Sequence, residues 1–267
     1  MNVIPLSLMD LGIAAAMLVA LSGVSLASRL GVERQLLISG VRMVLQLALV
    51  GFVLEALFAY SRLHWVVLMA AVMLTVAGYE VFARQRRAFR GLRGYLIGTG
   101  ALFVSSFVVS VLALTALIQA DPWYQPQYAI PLLGMLLGNT MNGVALSLDR
   151  LTEGAWQRRH AIEAQLMLGS TWDQAVAPLH RESVRAGLIP MVNAMAAAGV
   201  VSLPGMMTGQ ILAGSPPAEA VKYQILIFLL ITVGTGSGTL LANRIAAARL
   251  FDTRSRLRLE RLRQPAR

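Results

Sequence analysis

Two carboxamides three residues apart, Asn139 and Asn142, lie in the run GNTMNG inside an apolar stretch. On a helix that spacing puts both on one face. An unpartnered amide in hydrocarbon is unfavourable, so the pair must meet other protein groups or a watery pathway. A hydrogen bond between helices and contact with a transported solute fit this pattern equally well. A second constellation follows at Pro204-Gly205, with Met206, Met207, Thr208, Gly209 and Gln210 behind it. Proline removes a backbone donor and clashes with the preceding turn. At membrane depth the freed carbonyl needs protein or water. Broken helices of this kind recur in transport pathways, and a simple kink has the same signature. Asn139, Met141, Asn142, Met206, Met207 and Gln210 are therefore the candidate substrate-pathway residues.

Other chemistries are poorly served. The chain has no cysteine, which removes disulfides and thiolate metal sites. The histidines are His64, His160 and His180, and none falls in mid-membrane. Thioethers such as Met141, Met206 and Met207 prefer soft metals but also fill gaps in packing, so no metal ligand set is assigned. Arg42 and Gln46 lie four apart, with Arg42 close enough to a helix end to snorkel. Glu80 can pair with Arg84 one turn on, and Glu55 lies near an outer end. A phosphate-binding Gly-Lys-Ser/Thr motif is impossible, because the sole lysine sits in Val221-Lys222-Tyr223. Gly234–Gly238 (GTGSG) lies in an apolar run with no strand before it and no lysine after it. The chain therefore binds no cofactor of its own and hydrolyses no ATP. Without a mid-membrane His or a paired Asp, a membrane-embedded enzyme is disfavoured. A stand-alone secondary transporter or channel is the alternative function, although few titratable groups lie in mid-membrane to serve one.

The elements that must position these residues are membrane spans. Of 267 residues 57% are hydrophobic and only 13% charged, against about a quarter charged in soluble domains. Runs of about 20 apolar residues, enough to cross the hydrocarbon, predict seven helices. They are Leu8–Ala27, Leu36–Phe58, Leu63–Ala83, Tyr95–Ile118, Ala129–Leu148, Leu188–Leu212 and Val221–Ala242. The arginines fix their sense. Arg29 and Arg34 follow the first; Arg84, Arg86, Arg87, Arg90 and Arg93 follow the third. Arg150, Arg158, Arg159, Arg181 and Arg185 lie between the fifth and sixth. The basic tail, residues 244–267, follows the seventh, and the alternate loops hold only Arg62 and Lys222. Positive loops are cytoplasmic, so the expected architecture is all-α and polytopic, N-terminus outside and C-terminus inside the cell inner membrane. The net charge of +10 then faces anionic lipid headgroups, not nucleic acid. Met1–Asp10 carries no Lys or Arg and reads as the start of a retained helix. Glycine pairs four apart, Gly94–Gly98, Gly134–Gly138, Gly205–Gly209 and Gly234–Gly238, invite close helix packing.

Between the fifth and sixth spans, residues 149–187 form the one extended soluble stretch, expected as two short helices around Gly169-Ser170-Thr171. Thr171 and Gln174 suit a capping box, and Trp172, Val176 and Leu179 recur at helical spacing. Glu163-Ala164-Gln165, three residues, then Gly169 resembles the EAA-x3-G loop of ABC transporter permeases, with Gln165 where alanine is usual. Gly134–Leu151, Glu163–Gly169 and Leu203–Ile225, in this order, resemble the Fet-type iron-export permease family, whose plant relatives are linked to aluminium tolerance. The resemblance implies one ABC-type transmembrane domain over residues 1–267. It further implies a coupling role for Glu163, Ala164, Gly169, Thr171 and Trp172, ATP carried by a separate cytoplasmic ABC ATPase, and iron or another metal ion as cargo. Seven spans make half of such a translocation unit, so a homodimer with two-fold symmetry is expected.

Overall fold

The computed structural model describes residues 7–60 and 62–264. Residues 1–6 of the arginine-free start and the last three of the tail lie outside the described residues. The main helices are α1 (Leu8–Ala27), α2 (Glu33–Tyr60), α3 (Leu63–Ala83), α4 (Leu92–Ile118), α5 (Pro126–Gln157), α6 (Arg159–Met167), α7 (Trp172–Ala197), α8 (Gly205–Leu212) and α9 (Pro217–Arg249). No strand occurs among the described residues. Six helices are long and apolar enough to cross a membrane: α1, α2, α3, α4, α5 and α9.

The expected sixth span is built differently. Leu188–Ala197 is the end of α7, residues 198–204 are not helical, and α8 completes the stretch. The break starts ahead of Pro204, because Gly199 turns the chain at φ +82° and its N–H donates to the Ser202 carbonyl. Proline also disfavours helix at the residue before it, Leu203. Residues 149–187 are likewise no free loop. α5 runs on to Gln157, and the second of the two expected short helices is long, because α7 continues unbroken from Trp172 to Ala197. The Thr171–Gln174 capping box is present, with both reciprocal hydrogen bonds formed.

α5 and α9 form the central pair, with α7 packed on both and α3 on α5. The packing rests on small residues. A Cβ on Gly187 would meet the Gly143 carbonyl oxygen at 2.5 Å, and one on Gly238 would meet Ser105 Oγ at 2.7 Å. Without a hydrophobic driving force between helices in lipid, such close backbone approach is what holds a bundle together. Gly94, Gly98 and Gly234 do the same work, whereas Gly205 and Gly209 face open space. Asn243 is fully buried and donates to Ser147 Oγ at 2.6 Å, tying α9 to α5. α4 carries two π-type turns, Phe103–Phe107 and Ala113–Ile118; the first brings Ser105 and Ser106 into the interior. α1 and α2 pair with each other, and α2 reaches the rest of the bundle mainly through α5.

The basic tail folds back instead of trailing. Arg263 N–H donates to the Ala88 carbonyl and Arg90 N–H to the Arg261 carbonyl. Asp252 closes the turn, accepting the N–H groups of Arg254 and Arg256 and the guanidinium groups of Arg256 and Arg258. The Arg256 backbone N–H leads the interactions that hold its carboxyl at about 2, below the ordinary 3.8. A depressed carboxylate stabilises the fold above its unfolded value and loses that contribution as it protonates. The tail should therefore stay docked above pH 3.8 and loosen as the pH falls from there towards 2. Asp252→Asn should loosen it already at neutral pH, seen as faster trypsin cleavage after Arg254 and Arg256 than in the native chain; equal cleavage rates would show that the carboxylate does not hold the turn.

Candidate functional site

The sequence-derived pathway residues fall into two places. Asn139 and Asn142 lie on the exposed face of α5, opposite the buried Thr140, Gly143 and Ser147. Asn139 Nδ2 donates to the Met135 carbonyl in its own helix at 2.8 Å. Asn142 Oδ1 accepts from Arg84 Nη1 at 2.7 Å. Arg84 also meets Glu80 at 3.4 Å, and Glu80 in turn takes a hydrogen bond from Arg42. A polar chain Arg42–Glu80–Arg84–Asn142 therefore links α2, α3 and α5.

This chain sits at a groove of about 680 Å³ between the same three helices. Met43, Met69, Met73 and Met141 line it with Gln46, and Gly134 and Gly138 keep its α5 wall low. Arg42 and Glu80 were readable as a snorkelling cation and an i,i+4 ion pair. Their mutual contact across two helices is what sequence reasoning missed. The available signal was that Arg42 shares its apolar run with one other charge, Glu55, more than three turns away, while Glu80 is the one charged residue of its own run.

Met206, Met207 and Gln210 keep different company. α8 leans on α9, where the Met207 N–H donates to Gln224 Oε1 at 3.3 Å. Gln210 Oε1 is buried without a partner among the described residues. Met206 packs against the apolar cluster that contains Leu136, Met191 and Ile227. No group of three or more His, Cys, Asp or Glu side chains comes together among the described residues.

The residues expected to couple are brought to one end. α6 carries Glu163 and Ala164 across the space between the ends of α5 and α7. Gly169 stands at φ +91°, a left-handed conformation that glycine adopts without strain. It lets the Ser170 N–H donate back to the Gln165 carbonyl before Thr171 caps α7. Trp172 stacks near Phe251 at 5.7 Å and under Arg244 at 5.1 Å, while Arg244 also pairs with Asp173. Arg150 and Arg158 of the α5 end both bind Glu182 of α7. Those two arginines, Arg150 first, hold the Glu182 carboxyl below its ordinary range. Arg87 braces Glu153 at 2.9 Å and covers the Trp156 ring. The result is a rigid frame whose outermost side chains, Met167 and Leu168, are apolar and 82% and 86% exposed.

A helical bundle with six candidate spans, small-residue helix contacts and a braced extramembrane tip is a multi-pass membrane protein. The chain belongs to the family described as "Uncharacterised protein family (UPF0014)", whose profile matches residues 8–251. It is 41% identical over 229 residues to "UPF0014 membrane protein slr1647" of Synechocystis, covering 85% of this chain and 87% of that one. It is 30% identical to "Probable iron export permease protein FetB" of Escherichia coli, over 96% of both chains. It is 33% identical to "Protein ALUMINUM SENSITIVE 3" of Arabidopsis thaliana, over 80% of this chain and 77% of the relative. No solved structure matches.

Proposed function

We propose that this chain is the transmembrane subunit of an ABC-type exporter in the inner membrane, moving iron or another metal ion and driven by a separate cytoplasmic ATPase. One observation carries the reading: a short rigid helix, α6, ends in the exposed apolar pair Met167-Leu168 at the tip of two braced helices. An apolar tip on the arginine-rich side has no lipid to face and is suited to a protein groove. Glu163, Ala164, Gly169, Thr171 and Trp172 build that tip and pass ATPase closure into α5 and α7. The resemblance to a relative named as a probable iron export permease supports the cargo.

In this reading α7 and α8 together make a seventh, broken crossing, with the N-terminus outside and the C-terminus in the cytoplasm. Two copies pair about a two-fold axis, and ATP stays on the partner. The groove between α2, α3 and α5 is one wall of the pathway, with Met141 on it, Asn142 joined to its edge through Arg84 and Asn139 on the neighbouring exposed face of α5; Met206, Met207 and Gln210 at the broken crossing form the other. The test is co-expression with the ABC ATPase of the same source, purification through a tag on this chain, and ATPase assay in proteoliposomes. The ATPase should co-purify, and ferrous iron should raise its rate above that seen with other divalent cations. A chain that purifies alone and transports without ATP would be a secondary transporter instead.

The groove makes its own prediction. Asn142 bonds Arg84 on the exposed face of α5, so Asn142→Leu removes one exposed hydrogen bond, about 1 kcal/mol or less. Thermal stability and dimer assembly should hold while transport falls. Normal transport with lost dimerisation would place Asn142 at the subunit interface.

A further inference from the structure

A second cavity, of about 660 Å³, lies where the loop before α4 meets the end of α9 and the folded tail. Four arginines line it, Arg90, Arg93, Arg249 and Arg261, and no acidic side chain does. Phe89 and Phe251, both buried, and the exposed Ile245 complete the apolar part of its lining. The neighbouring acids are engaged elsewhere: Glu153 with Arg87, Asp252 with Arg256 and Arg258, Glu260 with Arg258. Arg90 and Arg261 give N–H groups to the carbonyls of Leu262, Arg249 and Phe251, which builds the wall. The guanidinium groups of Arg93 and Arg249 have no hydrogen-bond or ion-pair partner among the described residues.

This arrangement is electrostatically incomplete. Like charges around one concavity raise its potential, and low-dielectric walls focus it. Arg93 stands in the first turn of α4, where the helix dipole disfavours a cation and no side chain caps the free N–H groups. An anion with several oxygens would satisfy both the fork-shaped guanidinium donors and the helix start. The cavity opens at the ends of two membrane helices, beside exposed Leu92 and Ile245. An apolar lip next to a cationic bowl matches a headgroup joined to acyl chains better than a free ion.

We propose that this pocket holds the phosphate of an anionic phospholipid from the leaflet on the arginine-rich side, with Arg93 and Arg249 as the chief ligands. Bound there, the lipid pins the α4 start, the α9 end and the tail together. The inference stands independently of cargo and ATPase, since it concerns lipid retention alone.

Native mass spectrometry of the full chain, released from nanodiscs containing phosphatidylglycerol or phosphatidylcholine of the same acyl chains, tests it. The native chain should retain phosphatidylglycerol in preference to phosphatidylcholine. The double variant Arg93→Gln, Arg249→Gln should lose that preference by roughly tenfold or more. Because neither guanidinium bonds within the chain, the melting temperature of the delipidated double variant in detergent should equal that of the native chain. A control with the same charge loss, Arg181→Gln with Arg185→Gln, both exposed away from the pocket, should keep the preference, and Arg93→Lys with Arg249→Lys should keep most of it. Equal lipid retention by the glutamine variant and the native chain would overturn the proposal. So would displacement of the lipid by millimolar inorganic phosphate or ATP, which would make the pocket a soluble-anion site.

Discussion

If this chain is the transmembrane subunit proposed above, Leu168→Asp should leave it folded in the membrane and abolish its grip on the ATPase. Leu168 and Met167 are almost fully solvated in the single chain, so neither contributes packing that the fold would miss. A carboxylate at the tip therefore costs the chain little. In a docked complex the same position would be enclosed, and an unpaired charge there has no water and no counter-charge. Central apolar anchors of interfaces cost about 2 kcal/mol or more when lost, which is roughly thirty-fold in affinity. Co-purification of the ATPase should fall by at least that factor, and metal-stimulated ATP turnover with it. Leu168→Met should restore both, because it keeps the apolar volume. Gly169→Pro should have a similar effect by another route: proline cannot take φ +91°, so the turn that aims α6 would be rebuilt. If Leu168→Asp couples normally, the tip is not the docking element and the polar face of α6 around Glu163 becomes the place to look.

Much of this arrangement could be read from residue order, and the limits of that reading are physical. α1 and α3 end where the apolar runs end, because their boundaries coincide with a change of solvent: Ser7 caps the first, and Arg62 and Arg84 bracket the third. α5 and α9 overrun their apolar runs by about two turns at their C-terminal ends, whereas α7 starts well before its run and stops inside it. Hydropathy marks where lipid stops, whereas a helix stops where its hydrogen-bond ladder does, and nothing in Asp149–Gln157 breaks that ladder. The capping box at Thr171 was legible because it is local, with both partners within four residues. The Arg42–Glu80 contact was not, because it depends on how α2 lies against α3. For the same reason the amide pair of α5 and the residues of α8 looked like one pathway in sequence yet lie against different helices in one subunit. Which helices face one another across a bundle is not encoded in spacing along the chain.

Gly187→Val should be the most damaging single change in the molecule. Gly187 sits on α7 where that helix crosses α5 and α9, and its missing side chain is the reason they can cross. A Cβ there would lie 2.5 Å from the Gly143 carbonyl oxygen, 2.9 Å from Thr239 Cγ2 and 3.0 Å from Ser147 Cβ. The first obstacle is backbone of a central helix, so no rotamer change relieves it, and α7 must move away from α5. That shift would also part Asn243 from Ser147 if α9 followed, leaving buried amide groups unpaired. Overpacking of this kind costs roughly 3 kcal/mol, and valine's branches add to it. The expected result is loss of the folded protein in detergent, read by size-exclusion chromatography and thermal unfolding, with the chain still targeted to the membrane. Gly187→Ala tests the geometry more finely: it adds only the Cβ and should destabilise measurably, whereas Gly209→Ala, with nothing within 4 Å of its Cβ, should be silent in the same assay. A silent Gly187→Ala would mean that α5 and α7 are not packed backbone to backbone, and the braced frame beneath Met167 and Leu168 would lose its foundation.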